Sequence, residues 1–198
     1  MKEELLNKLK KECIRKINEI YKEEKVVVFG EGNSNAEIVL VGEAPGEKET
    51  KYVRPFVGQA GKNLDEFLNV LNLKREDIYI TNTVKFRPYK VNPKTNRLSN
   101  RPPDREEISL CLPFLEKQID IIDPKIVVTL GNVSLKALMG DNSITIGEAH
   151  GKYTKLNKYY LFPLYHPASI IYNVKLKDVY NEDLLKLKEF AAKLKEGE

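Results

Sequence analysis

The sequence predicts an α/β fold: a single domain with a central, mainly parallel four-stranded β-sheet flanked by helices on both faces. Three observations lead there. Runs of β-branched and aliphatic residues without polar alternation, Ile38-Val39-Leu40-Val41 and Ile126-Val127-Val128-Thr129-Leu130, mark strands buried on both faces. Segments with apolar residues three and four apart separate the strands, and that alternation is the pattern of a parallel sheet. The chain has 198 residues, 41% hydrophobic and 31% charged, enough to bury one core without disulfides or metals. Pervasive disorder is thereby excluded as the starting assumption.

Each element follows from its local pattern. Leu5, Leu6, Leu9, Cys13, Ile17 and Ile20 recur at helical spacing among charges, predicting an amphipathic helix over residues 3–24. The expected organisation is this N-terminal element, residues 1–25, packed on a domain of residues 26–198. The apolar run Val26-Val27-Val28-Phe29 is closed by the turn residues Gly30 to Asn33, and the strand at 38–41 stops at Gly42-Glu43-Ala44-Pro45-Gly46. A helix after Gly61 carries Leu64, Phe67, Leu68 and Leu71 on one face, followed by a short strand at Ile78-Tyr79-Ile80-Thr81. Residues 84–103 hold four prolines, three asparagines and six basic residues, predicting a long exposed loop with little regular structure. Asp104 is placed to cap a helix in which Ile108, Cys111, Leu112, Leu115, Ile119 and Ile122 recur, ending before Pro124. Beyond the strand at 126–130 come a short helix through Met139, a hairpin-like stretch, a strand at 159–164 and a last helix over about 179–194.

Charge sharpens the reading. The 33 basic and 29 acidic residues give a net +4, a weak pointer to an anionic partner. Between Lys85 and Arg105, however, seven basic residues (Lys85, Arg87, Lys90, Lys94, Arg97, Arg101, Arg105) meet one acid, Asp104, so this stretch carries +6. No run approaches the roughly 20 apolar residues of a membrane span, and the first 25 residues mix Lys with Glu unlike a secretory signal. Cys13 and Cys111 lie far apart and make no disulfide framework, which fits a reducing, cytoplasmic setting.

Ligands of open α/β sheets bind beyond the carboxyl ends of the strands, here residues 42–46, 82–88 and 165–172. The first turn sets Glu43 among glycines; it lacks the Gly-Lys-Ser/Thr ending of a phosphate loop, and a plain tight turn is an open alternative. Phe56, in Arg54-Pro55-Phe56-Val57-Gly58, is a core plug or a base-stacking platform. Asn82 caps a turn or presents one donor and one acceptor, matching a pyrimidine edge. His166, in His166-Pro167-Ala168-Ser169, is structural or catalytic, and Ile170-Ile171-Tyr172 are core or a wedge for DNA.

Taken in order, Gly-Glu-Ala-Pro-Gly at 42–46, Arg-Pro-Phe-Val-Gly at 54–58, Thr-Asn at 81–82 before a basic loop, and His-Pro-Ala-Ser at 166–169 resemble the family 4 uracil-DNA glycosylases over about residues 26–190. The resemblance implies that family's three-layer sandwich and excision of uracil from DNA by hydrolysis of the N-glycosidic bond. It implies a pocket of Glu43, Ala44 and Pro45, with Glu49 completing the family's Gly-Glu-x-Pro-Gly-x-x-Glu pattern. Phe56 would stack on the flipped uracil, Asn82 would read its pairing edge, and His166 would donate to O2 as the bond breaks. Water would add to a largely formed sugar cation, assisted by Glu43 or Glu49. Lys85, Arg87, Lys90, Lys94, Arg97 and Arg101 would hold the DNA strand, and Ile170, Ile171 or Tyr172 would fill the vacated stack. The expected partner is uracil-containing DNA, met by a monomer.

The sequence departs from the family where four cysteines usually hold a four-iron four-sulfur cluster. Cys13-Ile14-Arg15-Lys16 replaces a Cys-x-x-Cys, and Lys85-Phe86-Arg87-Pro88 replaces Lys-Cys-Arg-Pro, leaving Cys13 and Cys111. Two thiolates cannot supply four ligands, so no cofactor and no metal are expected. Phe86 and the N-terminal helix would pack the basic loop by apolar contact instead, and a Cys13–Cys111 disulfide is conceivable only in a hyperthermophile. Thr50 and Val53 differ from the usual Asp and Gly beside the pocket. Two alternatives stand beside uracil excision: a glycosylase for another deaminated base such as hypoxanthine, and an inactive DNA-binding module of the same fold.

Overall fold

The computed structural model describes residues 1–173 and 175–196, the side chains of Ile170, Ile171 and Tyr172 excepted. In chain order the elements are α1 (Lys2–Tyr21), β1 (Glu31–Gly32), β2 (Ile38–Gly42), α2 (Glu47–Tyr52), α3 (Gln59–Val70), β3 (Tyr79–Asn82), β4 (Tyr89–Val91), β5 (Leu98–Asn100), α4 (Arg105–Ile122), β6 (Ile126–Leu130), α5 (Asn132–Met139), α6 (Ile146–Ala149), β7 (Thr154–Lys155), β8 (Tyr160–Leu164), α7 (Pro167–Tyr172) and α8 (Leu176–Glu196). The main sheet runs β1-β3-β2-β6-β8-β7. Its four inner strands are parallel, and the two-residue strands β1 and β7 add antiparallel edges. The four expected strands are these inner four.

Unalternating strand sequences make sense once the two layers are seen. Val39, Val41, Val127 and Leu161 face a layer that includes Leu6, Leu9, Cys13 and Ile17 of α1 and Leu115 and Ile119 of α4. Their sequence neighbours Leu40, Ile126, Val128 and Phe162 face Leu64, Phe67 and Leu68 of α3 and Leu184 and Leu187 of α8. With both faces covered, strand positions on either face are predominantly apolar, the buried polar residues Thr81, Asn82 and Thr129 lying toward the carboxyl ends. The stripe of α1 is narrower than its sequence pattern, since Leu5 and Ile20 remain about half exposed. Asp104 caps α4 by accepting from the Glu107 N–H (2.9 Å), while the Glu107 carboxylate accepts from the Asp104 N–H (2.9 Å).

Residues 84–103 are more ordered than the sequence suggests. They open with a buried stretch, Val84 to Phe86, and then form an exposed antiparallel hairpin in which Tyr89 pairs Asn100 and Val91 pairs Leu98. Tyr-Lys-Val and Leu-Ser-Asn are short alternating strands on either side of Asn92 to Arg97, a hairpin signal that the proline and asparagine count obscures. The parallel strands meanwhile deliver Gly42, Asn82 and Leu164 to one end of the sheet. The turns beyond them form the site.

Candidate active site

Asn82 closes β3 and is only 3% exposed, yet no group among the described residues hydrogen-bonds its side-chain amide. Across the ladder stands Gly42, where a Cβ would collide with Asn82 Oδ1 and the tip of the Phe56 ring. Glycine is required there for space: without a side chain, the amide and the ring close over the strand end. Phe56 has φ +52°, a strained conformation for an aromatic residue, and its carbonyl accepts from Arg75 Nη2 (2.7 Å) while Asp65 holds Arg75 Nε (2.7 Å). Gly61 packs so closely on that carbonyl that a Cβ would overlap it.

His166 follows β8 and caps α7. Its Nδ1 accepts from the Ala168 N–H (3.1 Å), which leaves the ring proton on Nε2. Burial lowers its pKa to about 4, so the imidazole is neutral near pH 7 and remains a donor through Nε2. Its ring lies 6.1 Å from that of Phe56 with a 26° interplanar angle. A cavity of about 240 Å³ unites Phe56, Asn82 and His166 with Ala44 and Glu49. Gln59, Ala60 and Asn100 also line it, and sequence reasoning missed all three.

Glu49 is fully engaged as a strut. One oxygen accepts from the N–H groups of Val57 (3.1 Å) and Gly58 (2.7 Å), and the other accepts from Gly46 (3.2 Å). It ties the 42–46 turn to the Phe56 loop. Glu43 and Pro45 lie on that turn outside the cavity lining, and burial raises the Glu43 carboxyl pKa. A larger cavity of about 520 Å³ sits at the opposite, amino ends of the strands, lined by residues such as Ile38, Leu71 and Leu194. Ligands of parallel sheets do not bind at that end.

Three of the expected DNA contacts are placed differently. Lys85 is completely buried, with its ammonium donating to Thr81 Oγ1 (2.7 Å), the Asn82 carbonyl (2.8 Å) and Gln118 Oε1; it braces the pocket floor and cannot reach a phosphate. Arg87 has a side chain 12% exposed and spends its guanidinium on Asn100 Oδ1 (2.7 Å) and Glu47 (3.1 Å). Arg101 is neutralised by a bidentate pair with the buried Glu107 (2.8 Å for each bond). Lys90, Lys94 and Arg97 remain exposed on the hairpin, and no carboxylate among the described residues pairs with them. The wedge expected from Ile170, Ile171 and Tyr172 falls on side chains outside the described residues.

The cysteines are both free and fully buried. Phe86 stands where the resemblance calls for a third thiolate, its ring edge-on to Tyr21 at 5.1 Å, with the Lys25 ammonium over the Tyr21, Phe86 and Tyr89 rings. Burial raises the Cys13 pKa to about 12 and also raises that of Cys111, opposing the thiolate form. Among the described residues no three His, Cys, Asp or Glu side chains gather as metal ligands. This donor set does not fit a four-iron cluster.

The strand order, the cavity at the carboxyl ends of the strands and the fixed imidazole donor define an α/β protein whose candidate site lies at the end of a parallel sheet. A model of the Uracil DNA glycosylase superfamily matches residues 29–187. A type-4 uracil-DNA glycosylase of Sulfurisphaera tokodaii is 44% identical over 195 residues, covering 94% of this chain and 84% of that one. A type-4 enzyme of Saccharolobus solfataricus is 44% identical over 178 residues, 86% of this chain and 78% of its own. One of Archaeoglobus fulgidus is 36% identical over 182 residues, 88% and 87% of the two chains. The chain belongs to the uracil DNA glycosylase superfamily, in its type-4 branch.

Proposed function

We propose that the protein excises uracil from DNA by hydrolysing the N-glycosidic bond, leaving an abasic site in base excision repair. The observation that carries this is the meeting, in one cavity, of an unpaired buried amide, an aromatic face and a neutral imidazole locked with its proton on Nε2. Asn82 offers a donor and an acceptor to the N3–O4 edge of uracil, and Phe56 supports the ring. As the C1′–N1 bond breaks, its electron pair passes to the base and spreads onto O2, where the His166 Nε2–H donates. That interaction strengthens only as charge develops, so it lowers the barrier rather than merely binding the base. Water then adds to the oxocarbenium-like C1′ and releases a proton. Glu49 lines the cavity but its oxygens are occupied by three amides, and Glu43 lies outside the lining, so the attack on a largely formed cation is assigned to water without a carboxylate base.

Lys90, Lys94 and Arg97 hold the strand through its phosphates while the base turns out of the stack. The chemistry proceeds without an iron–sulfur cluster, the Tyr21–Phe86–Lys25 packing securing the segment before the hairpin. The free thiols support a cytoplasmic location. No helix among the described residues is long and apolar enough to cross a membrane.

The test is base release from uracil- and hypoxanthine-containing oligonucleotides by the wild type, His166→Ala and Asn82→Ala, with iron assayed in the same preparations. Release of uracil without iron, reduced in both variants, is expected. Release of hypoxanthine alone, or DNA binding without release of either base, would overturn the reading.

A further inference from the structure

Asn100 ends β5 at the lip of the pocket, and its amide is divided between two tasks. Its Oδ1 accepts from Arg87 Nε (2.7 Å), and Arg87 is itself held by Glu47 in the first turn of α2 (3.1 Å). The other end, Nδ2, lies beside Gly46, 3.2 Å from where a Cβ would stand, and no acceptor among the described residues receives it. Arg87 therefore fixes which end of the amide faces the cavity: a donor. The floor already supplies groups for the edge and O2 of a base in Asn82 and His166. An exposed donor at the mouth meets what passes through the mouth, the phosphodiester chain carrying the extrahelical nucleotide.

We infer that Asn100 is a substrate-binding residue whose Nδ2 donates to a non-bridging phosphate oxygen flanking the flipped nucleotide, oriented for this by Arg87. The inference rests on the reading of the site as a uracil pocket. It makes the hairpin part of the pocket as well as an electrostatic arm: Lys90, Lys94 and Arg97 attract any strand, whereas Asn100 contacts only one seated with a base in the cavity.

Two variants separate donation from bracing. Asn100→Asp keeps an acceptor for Arg87, so the hairpin stays braced, but it replaces the donor with a negative charge. Asn100→Ala removes both. Affinity for an oligonucleotide carrying non-cleavable 2′-fluoro-2′-deoxyuridine is read by anisotropy, alongside inhibition by free uracil and excision from the ordinary substrate. Both variants should lose affinity, Asn100→Ala about ten-fold and Asn100→Asp more, with inhibition by free uracil unchanged. Neutral methylphosphonate linkages beside the uridine should largely abolish the difference between wild type and Asn100→Ala. Wild-type behaviour of Asn100→Asp would show a bracing role only, and a parallel loss of free-uracil inhibition would place the contact on the base; either overturns the inference. If the wild type binds but does not excise, the uracil-excision reading fails by itself, because the affinity comparison still decides the role of Asn100.

Discussion

Lys85 and Lys90 are five residues apart in the same basic stretch, yet they belong to opposite physical regimes. The floor of the pocket surrounds Lys85 with Thr81, the Asn82 carbonyl and Gln118, excludes water and lowers its pKa to about 8. The hairpin leaves Lys90 in solvent. In the first regime each hydrogen bond is expensive to lose, because its partners are stranded in a dry environment. In the second, a charge acts at a distance and salt can replace it. Base recognition and strand capture are thus divided between a preorganised, desolvated site and a solvated arm.

The strongest way to break this division is at the donor. His166→Ala should slow single-turnover uracil release about 100- to 1,000-fold, while affinity for undamaged single strands measured by anisotropy stays within two-fold. Replacing Lys90, Lys94 and Arg97 together by Ala should do the reverse. The slope of log affinity against log salt should fall by about 2 to 3, with release from saturated complexes unchanged. A residue-matched comparison sharpens the contrast further: Lys85→Met should cost about 1–3 kcal/mol in urea unfolding, whereas Lys90→Met should stay within about 0.5 kcal/mol.

A further effect concerns pH. His166 in the folded protein resists protonation until about pH 4, whereas in the unfolded chain it takes a proton near its ordinary value of 6.5. Between those values the unfolded state binds more protons, so this contribution to stability is present above about pH 6.5 and is lost as pH falls toward 4. Unfolding midpoints of the wild type should therefore drop more steeply over that window than those of His166→Ala. Equal slopes would show that His166 is not held neutral.

Much of this was legible from residue order. The four inner strands and the Asp104 cap follow from patterns local to each segment, whereas the grouping of Ala44, Glu49, Phe56, Asn82 and His166 comes from the family resemblance. Lys85 was not legible as a buried residue, because its fate depends on Gln118, thirty-three positions away, arriving on α4. Arg87 and Arg101 likewise read as free cations until Asn100, Glu47 and Glu107 are seen to claim them. Asn100 itself carried no signal beyond its place in the hairpin strand. Its proximity to Gly46 is created by tertiary structure, as is the strut made by Glu49.

Gly42 makes the deepest part of the pocket almost immutable. Any replacement would push a methyl group or more into Asn82 and Phe56, so even alanine would displace the two groups that define the cavity. Changes of base preference, whether by natural drift or by directed evolution, then fall to other lining positions such as Ala44, Gln59 or Ala60.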